Sequence, residues 1–177
     1  MGLAVLLAQM GSFVPAEHAV VPVHDRLLAR VGASDSLVSG LSTFMAEMLD
    51  IAKILRRASK RSLVITDEIG RGTSAEDGFG IAWATVERLA SEIQCTSLLA
   101  THFHELTLIQ ELHPSLVLNL HVSAHVEGGK VTMLFAVQPG PSFRSFGIQC
   151  AQAAGFPASV VAEAARLEEE RGEALTT

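Results

Sequence analysis

Cysteine is nearly absent from this chain: Cys95 and Cys150 are the only two in 177 residues, they lie far apart, and they form no CxxC pair. That excludes a disulfide scaffold or a zinc ribbon and fits buried thiols in a reducing compartment. Basic residues are also scarce. Thirteen Lys and Arg against nineteen Asp and Glu leave a net charge of −6, the wrong sign for a surface that grips nucleic-acid phosphates by itself. Any DNA contact must therefore be made elsewhere. No apolar run reaches membrane-spanning length, so no membrane is expected among the partners. The apolar opening Met1-Gly-Leu-Ala-Val-Leu-Leu-Ala8 lacks the basic flank of a signal peptide, and Leu6 stands where a myristoylation signal needs Ser or Thr. No long linker or internal repeat interrupts the chain. What is present is 49% hydrophobic and only 18% charged, a balance that excludes disorder and suits one domain with a real core.

Apolar patterning predicts alternating elements and hence an α/β fold. Residues 3–10 read as the tail of an apolar helix closed by Gly11. Residues 19–23 are a short strand candidate, and residues 34–40 a polar loop ending in glycine. From Ser42, the positions Phe44, Met48, Ile51 and Leu55 recur at helical spacing, with Arg56, Arg57 and Lys60 complementing the dipole at the helix end. Residues 63–66 form a buried strand. Ser74-Ala-Glu-Asp77 resembles a capping box, and Phe79, Trp83, Val86, Leu89 and Ile93 mark the inner face of a second long helix. Residues 96–100 form the next strand, and His102-Phe-His-Glu105 leads into a helix. Residues 116–125 and 130–137 read as a hairpin. After the break at Pro139-Gly-Pro141, Pro157 opens a last helix with Val160, Val161, Ala164 and Leu167 on its apolar face.

The chemistry concentrates in Ser62-Leu-Val-Ile-Thr-Asp-Glu-Ile-Gly-Arg-Gly-Thr-Ser74. A β-branched run here delivers two adjacent carboxylates to the carboxyl end of a strand, where open α/β sheets bind their ligands. Two carboxylates against a buried strand need a metal, a cation or a reacting water. A solvated acidic turn accounts for residues 62–74 as well. The next strand ends at Thr101-His102, which brings an imidazole to the same sheet edge. Ser42 and Thr43 head a helix, where hydroxyls and free N–H groups make an anion site; a plain helix cap is the alternative for Ser42. On this reading Asp67 suits Mg²⁺, Glu68 suits a general base, and His102 suits a group that senses or stabilises a γ-phosphate.

Five ordered segments, Gly32-Ala-Ser-Asp-Ser36, Ser42-Thr-Phe-Met-Ala-Glu-Met48, Asp67-Glu-Ile-Gly-Arg-Gly-Thr-Ser74, Asp77-Gly-Phe-Gly-Ile-Ala-Trp83 and Ala100-Thr-His-Phe-His-Glu-Leu106, together resemble the ATPase domain of the MutS family of DNA mismatch repair proteins. The resemblance covers nearly the whole chain. Ala8-Gln-Met-Gly-Ser-Phe-Val-Pro15 and the Phe-His-Glu-Leu ending are more similar to the eukaryotic homologue that forms heterodimers than to the bacterial protein. The resemblance implies a P-loop NTPase of the ABC type, a three-layer sandwich with a C-terminal helix-turn-helix over residues 145–172. It implies a partial ATPase domain over residues 1–138 and a helical dimerisation segment over residues 139–177. It makes Asp67 and Glu68 the Walker B pair, with Asp67 on the metal and Glu68 catalytic, and makes His102 the switch histidine. Residues 70–77, including Ser74 and Asp77, become the loop facing the partner subunit. Ser42 and Thr43 fall in the segment that reaches across to the partner's γ-phosphate, and Phe135 falls near the adenine. ATP and Mg²⁺ are the implied cofactors. The implied partners are another MutS-homologue subunit and mismatched double-stranded DNA held by domains outside this chain, and the implied location is the nucleus.

The glycine loop and lysine that cradle phosphates, G-x-x-x-x-G-K-[ST], occur nowhere in the 177 residues. In the family this loop stands just before the helix that residues 3–10 resemble. The chain is therefore expected to be a fragment lacking the first strand and P-loop, and not to hydrolyse ATP alone. Thr66, where the family carries an apolar residue, and Ala75-Glu76, where it carries Thr-Tyr, are smaller departures that remove no catalytic group. Two other classes of function stay open. One is a non-catalytic dimerisation module, a degenerate ATPase remnant. The other is a metallohydrolase built on His102, His104 and Glu105, which lacks a further ligand cluster and has His104 inside a helix, turned away from His102.

Overall fold

The computed structural model describes residues 1–32, 42–127, 130–142 and 145–174. The expected loop over residues 34–40 and the hairpin turn at residues 128–129 lie outside them. The chain divides into two compact units, Met1–Val117 and Leu118–Thr177.

The first unit is built on a three-stranded parallel sheet in the order β1 (Leu27–Arg30), β2 (Leu63–Asp67), β3 (Thr96–Ala100). Parallel neighbours need long crossovers, and helices supply them. Helix α2 (Thr43–Arg57) joins β1 to β2. Helix α3 (Ala75–Glu87), continued by a π-helical turn over Arg88–Ile93, joins β2 to β3. A short helix α1 (Gly2–Gln9) precedes β1 and lies against β2: Val5 is buried, and a methyl group on Gly2 would strike Ile65 Cδ1. After β3, a 3₁₀ turn (His104–Leu108) runs into α4 (Ile109–Leu112). The core joins Ile51 and Ile54 of α2, Val64 of β2, Ile69, Ala82, Leu89, Leu106 and Ile109. An α/β fold is thus observed. Among the described residues, every buried apolar side chain belongs to this first unit.

Several elements differ from their sequence reading. Residues 19–23 form no strand: Pro22 offers no N–H to a ladder, and Val20 and Val23 stand exposed. The strand is Leu27–Arg30, which the sequence reading passed over. In α2 the buried positions are Glu47, Ile51 and Ile54, so the buried stripe includes a carboxylate. In α3 the fully buried positions are Gly78, Ala82 and Thr85, while Phe79, Trp83 and Val86 are half-buried around the core. Thr66 is buried.

Opposite the acidic strand end, Asp25 ties the start of β1 to the turn before β2. It accepts hydrogen bonds from Ser59 Oγ at 2.6 Å and Ser62 Oγ at 3.0 Å. Its N–H donates to Arg61 O, and Leu63 N–H donates to Arg26 O. The Ser59 bond, opposed by desolvation and helped by Ser62, Arg26 and Arg61, holds the Asp25 carboxyl below its usual range. A lowered folded value stabilises the protein above the unfolded carboxyl's titration near 3.8, and that contribution disappears as pH falls through the folded value. Asp25→Asn is therefore expected to lower the melting temperature at neutral pH and to narrow its deficit as the solution is acidified below the unfolded value. Melting curves of both proteins across that range check it, and a deficit independent of pH would refute it.

The second unit is an antiparallel hairpin, β4 (Leu120–Glu127) and β5 (Lys130–Pro139), followed by helices α5 (Gly147–Ala153) and α6 (Ala158–Ala174). The hairpin begins later than expected, at Leu120 rather than residue 116. Its register jumps: Val122 pairs with Val137 but Ala124 with Met133, so Ser123 alone faces residues 134–136. Ser123 Oγ donates to Ala136 O at 3.0 Å inside this bulge. Arg166 binds Glu163 and Glu170 on the outer face of α6.

Candidate functional site

Strands β2 and β3 run in parallel register with Asp67 opposite Ala100, so the residues just beyond each strand emerge side by side. Glu68 N–H continues the ladder by donating to Ala100 O at 2.9 Å. The backbone then turns sharply, with Glu68 at φ +50° and Gly70 at φ +86°. A left-handed glutamate is a sterically costly conformation, held here by its surroundings. Asp67 is exposed at the strand end. Glu68 Oε1 lies 4.0 Å from His102 Nδ1, and Arg71 Nη1 donates to Glu68 Oε2 at 2.8 Å. The Arg71 pair is solvent-exposed and contributes little to stability. The His102 ring lies 4.4 Å, centroid to centroid, from Phe103, which continues through Phe79 to Trp83 at edge-on spacings. An aromatic ladder thus supports the imidazole from behind.

The loop after Glu68 is wedged between two helix starts. On one side, Gly70 and Gly78 of α3 approach so closely that a Cβ on Gly70 would come within 2.5 Å of Gly78 O. On the other, a Cβ on Gly72 would sit 3.0 Å from Phe44 Cβ of α2. Glu47, buried on α2, accepts from Gly70 N–H at 2.6 Å. Ser74 caps α3 by accepting from Asp77 N–H, as the capping motif predicts, and Asp77 sits in the first turn. Ser42 caps α2 by accepting from Met45 N–H, with Thr43 the first helical residue.

The structure therefore brings Asp67, Glu68 and His102 to one sheet edge, with Ser74 and Asp77 on the adjoining helix start. Among the described residues, no hydrogen bond or ion pair joins Ser42 or Thr43 to the acidic pair. Phe135 belongs to the other unit, where it lies in the bulge at φ +53° and is 83% exposed rather than packed in a hairpin core. Three contributors went unnoticed in the sequence: Glu47, Arg71 and Phe103. Only Glu47 left a signal, a carboxylate one step from the apolar stripe of α2. Among the described residues, no three His, Cys, Asp or Glu side chains converge as a metal cage, so the metallohydrolase reading lacks its ligand set there. No described helix is long and apolar enough to cross a membrane.

A parallel sheet with an acidic pair and a histidine at adjoining strand ends defines an α/β protein with a polar candidate site at one end of its sheet. Comparison with known families makes this specific: MutS domain V matches residues 1–171. The chain is 49% identical to the DNA mismatch repair protein MSH2 of Saccharomyces cerevisiae, over 96% of this chain and 18% of that protein. It is 51% identical to Msh2 of Dictyostelium discoideum over the same shares, and 50% identical to MutS of Desulfitobacterium hafniense over 90% of this chain and 18% of that protein. The chain belongs to the MutS family. It spans about a fifth of the length of these curated relatives.

Proposed function

We propose that this chain is the metal-holding, water-activating and partner-facing part of an ATPase serving DNA mismatch repair, in which ATP binding and hydrolysis are coupled to closure of a dimer on mismatched DNA. The observation carrying this is the shared edge of β2 and β3, where Glu68 and His102 stand 4.0 Å apart beside an exposed Asp67. On this reading the frame is a P-loop NTPase of the ABC type, a three-layer sandwich completed in the longer protein by the first strand and the phosphate-cradling loop, with α5 and α6 as a helix-turn-helix. Residues 1–138 serve the nucleotide and residues 139–177 the dimer.

The donor set fits Mg²⁺, which takes one or two carboxylates and fills its remaining positions with phosphate oxygens and water. Bound Mg·ATP would supply the transferable phosphoryl group and the counter-charge for it. Asp67 would hold the metal through a carboxylate oxygen. Glu68 orients a water and accepts its proton at Oε1 or Oε2. His102 offers a ring N–H to charge growing on the γ-phosphate. Ser42 and Thr43, at the start of α2, serve the nucleotide of a partner subunit, Ser74 and Asp77 belong to the loop that faces that partner, and Phe135, in the other unit, would offer its ring to an adenine. The partner is another MutS-homologue subunit, a heterodimer being the form proposed. DNA is held by regions outside these residues, and the setting is the nucleus.

Ser42→Ala in the longer protein tests the cross-subunit role. It is expected to lower hydrolysis in the partner's site by about 10²–10³-fold, the scale set by loss of one transition-state donor, with nucleotide binding in its own site unchanged. Since Ser42 also caps α2, Ser42→Asn serves as the control that keeps a cap. Equal loss of binding and hydrolysis in the same subunit would overturn the assignment.

A further inference from the structure

We infer that Glu47 is a positioning residue for the acidic pair: a buried strut that fixes the loop after β2 and with it the backbone of Glu68. The inference rests on the ATPase reading for its functional half and on geometry alone for its structural half.

Glu47 sits mid-helix on α2, 8% exposed, on the stripe that continues through Ile51 and Ile54. A carboxylate there is unfavourable unless a donor meets it. The donor is Gly70 N–H, 23 residues onward, at 2.6 Å and buried. This is a short bond from a neutral amide to an ionisable acceptor, the stronger class of hydrogen bond. Gly70 also lies close to Gly78 of α3, with no space between them even for a Cβ. The loop is thus pinned from both sides, two residues beyond a glutamate whose φ of +50° needs outside support. The same helix begins at Ser42, and Phe44 meets Gly72. Helix α2 therefore touches the loop twice, and a shift of α2 reaches Glu68 through Glu47.

Two measurements test this. In the 177-residue chain, hydrogen exchange of the Gly70 amide reads the strut without any nucleotide. Glu47→Gln keeps an acceptor but loses the charge and is expected to speed Gly70 exchange roughly tenfold. Glu47→Ala is expected to speed it about a hundredfold, with β2 amides as the internal reference. Unchanged Gly70 exchange in both variants overturns the strut, and should Glu47→Ala not fold, Glu47→Gln decides. In the longer protein, Glu47→Ala is expected to lower kcat for ATP by up to about a hundredfold while KM stays within about twofold, since misplacement affects chemistry more than binding. Glu47→Gln is expected to recover most of the loss. Freed Gly70 with unchanged kcat, where Glu68→Ala has removed turnover, overturns the positioning role. If Glu68→Ala itself leaves turnover intact, the ATPase reading fails instead, and the exchange result alone decides the strut.

Discussion

Gly70→Ala is expected to destabilise the N-terminal unit by roughly 2–5 kcal/mol, combining the cost of a left-handed alanine with that of forced backbone displacement. The added Cβ would lie 2.5 Å from Gly78 O, 2.6 Å from its Cα and 2.8 Å from its carbonyl carbon. All three are backbone atoms of α3, so no rotamer change relieves the overlap. The residue also stands at φ +86°, which alanine avoids. Set against a total stability of about 5–15 kcal/mol, this is a large fraction. The two causes can be separated. Gly78 lies within α3 and has no positive φ, yet its Cβ would strike Gly70 O just as closely. Gly78→Ala therefore measures the overlap without the dihedral strain and is expected to cost less than Gly70→Ala. Urea unfolding of both variants checks the order. Wild-type stability for Gly70→Ala would mean that the loop and α3 are not in contact.

Glu68→Gln is expected to leave the fold intact and to remove about 10²–10⁴-fold of ATP turnover in the longer protein, the range that general-base catalysis supplies. The side chain is 37% exposed, and its ion pair is with an Arg71 side chain that is 75% exposed, so little stability is lost with the charge. Glutamine keeps the shape and can still orient a water, but it cannot take the proton. Nucleotide binding is expected to persist, which makes kcat the diagnostic quantity. Turnover within about twofold of wild type would remove Glu68 from the chemistry. The contrast with Gly70 is informative: one substitution leaves the chemistry present but displaced, the other leaves the scaffold in place and silences it.

Much of the site was legible because its strands are short, β-branched and end in chemistry. Residues 63–66 and 96–100 announced themselves, and parallel pairing then aligned Asp67 with Ala100. Helix starts at Ser42 and Ser74 were equally plain, since capping is a local hydrogen bond. Strand β1 was not, because Leu27-Leu-Ala-Arg30 carries no β-branched residue and a valine-rich neighbour imitates a strand better. Glu47's place beside the apolar stripe of α2 hinted at burial, but its partner is an amide 23 residues away, which no local pattern encodes. The bulge around Phe135 was invisible for a similar reason: extra residues in β5 are defined only against β4. The π-helical turn after α3 left no local trace either.

The left-handed backbone at Glu68 bears on how such sequences diverge. A glycine there would relax the main chain and an asparagine would tolerate it, so selection for robustness alone would drift toward either. On the proposed function, it is the demand on the carboxylate that would hold glutamate at that corner. A copy released from turnover would thus be recognised less by lost core residues than by an easing of this one dihedral, with the surrounding architecture improved rather than eroded.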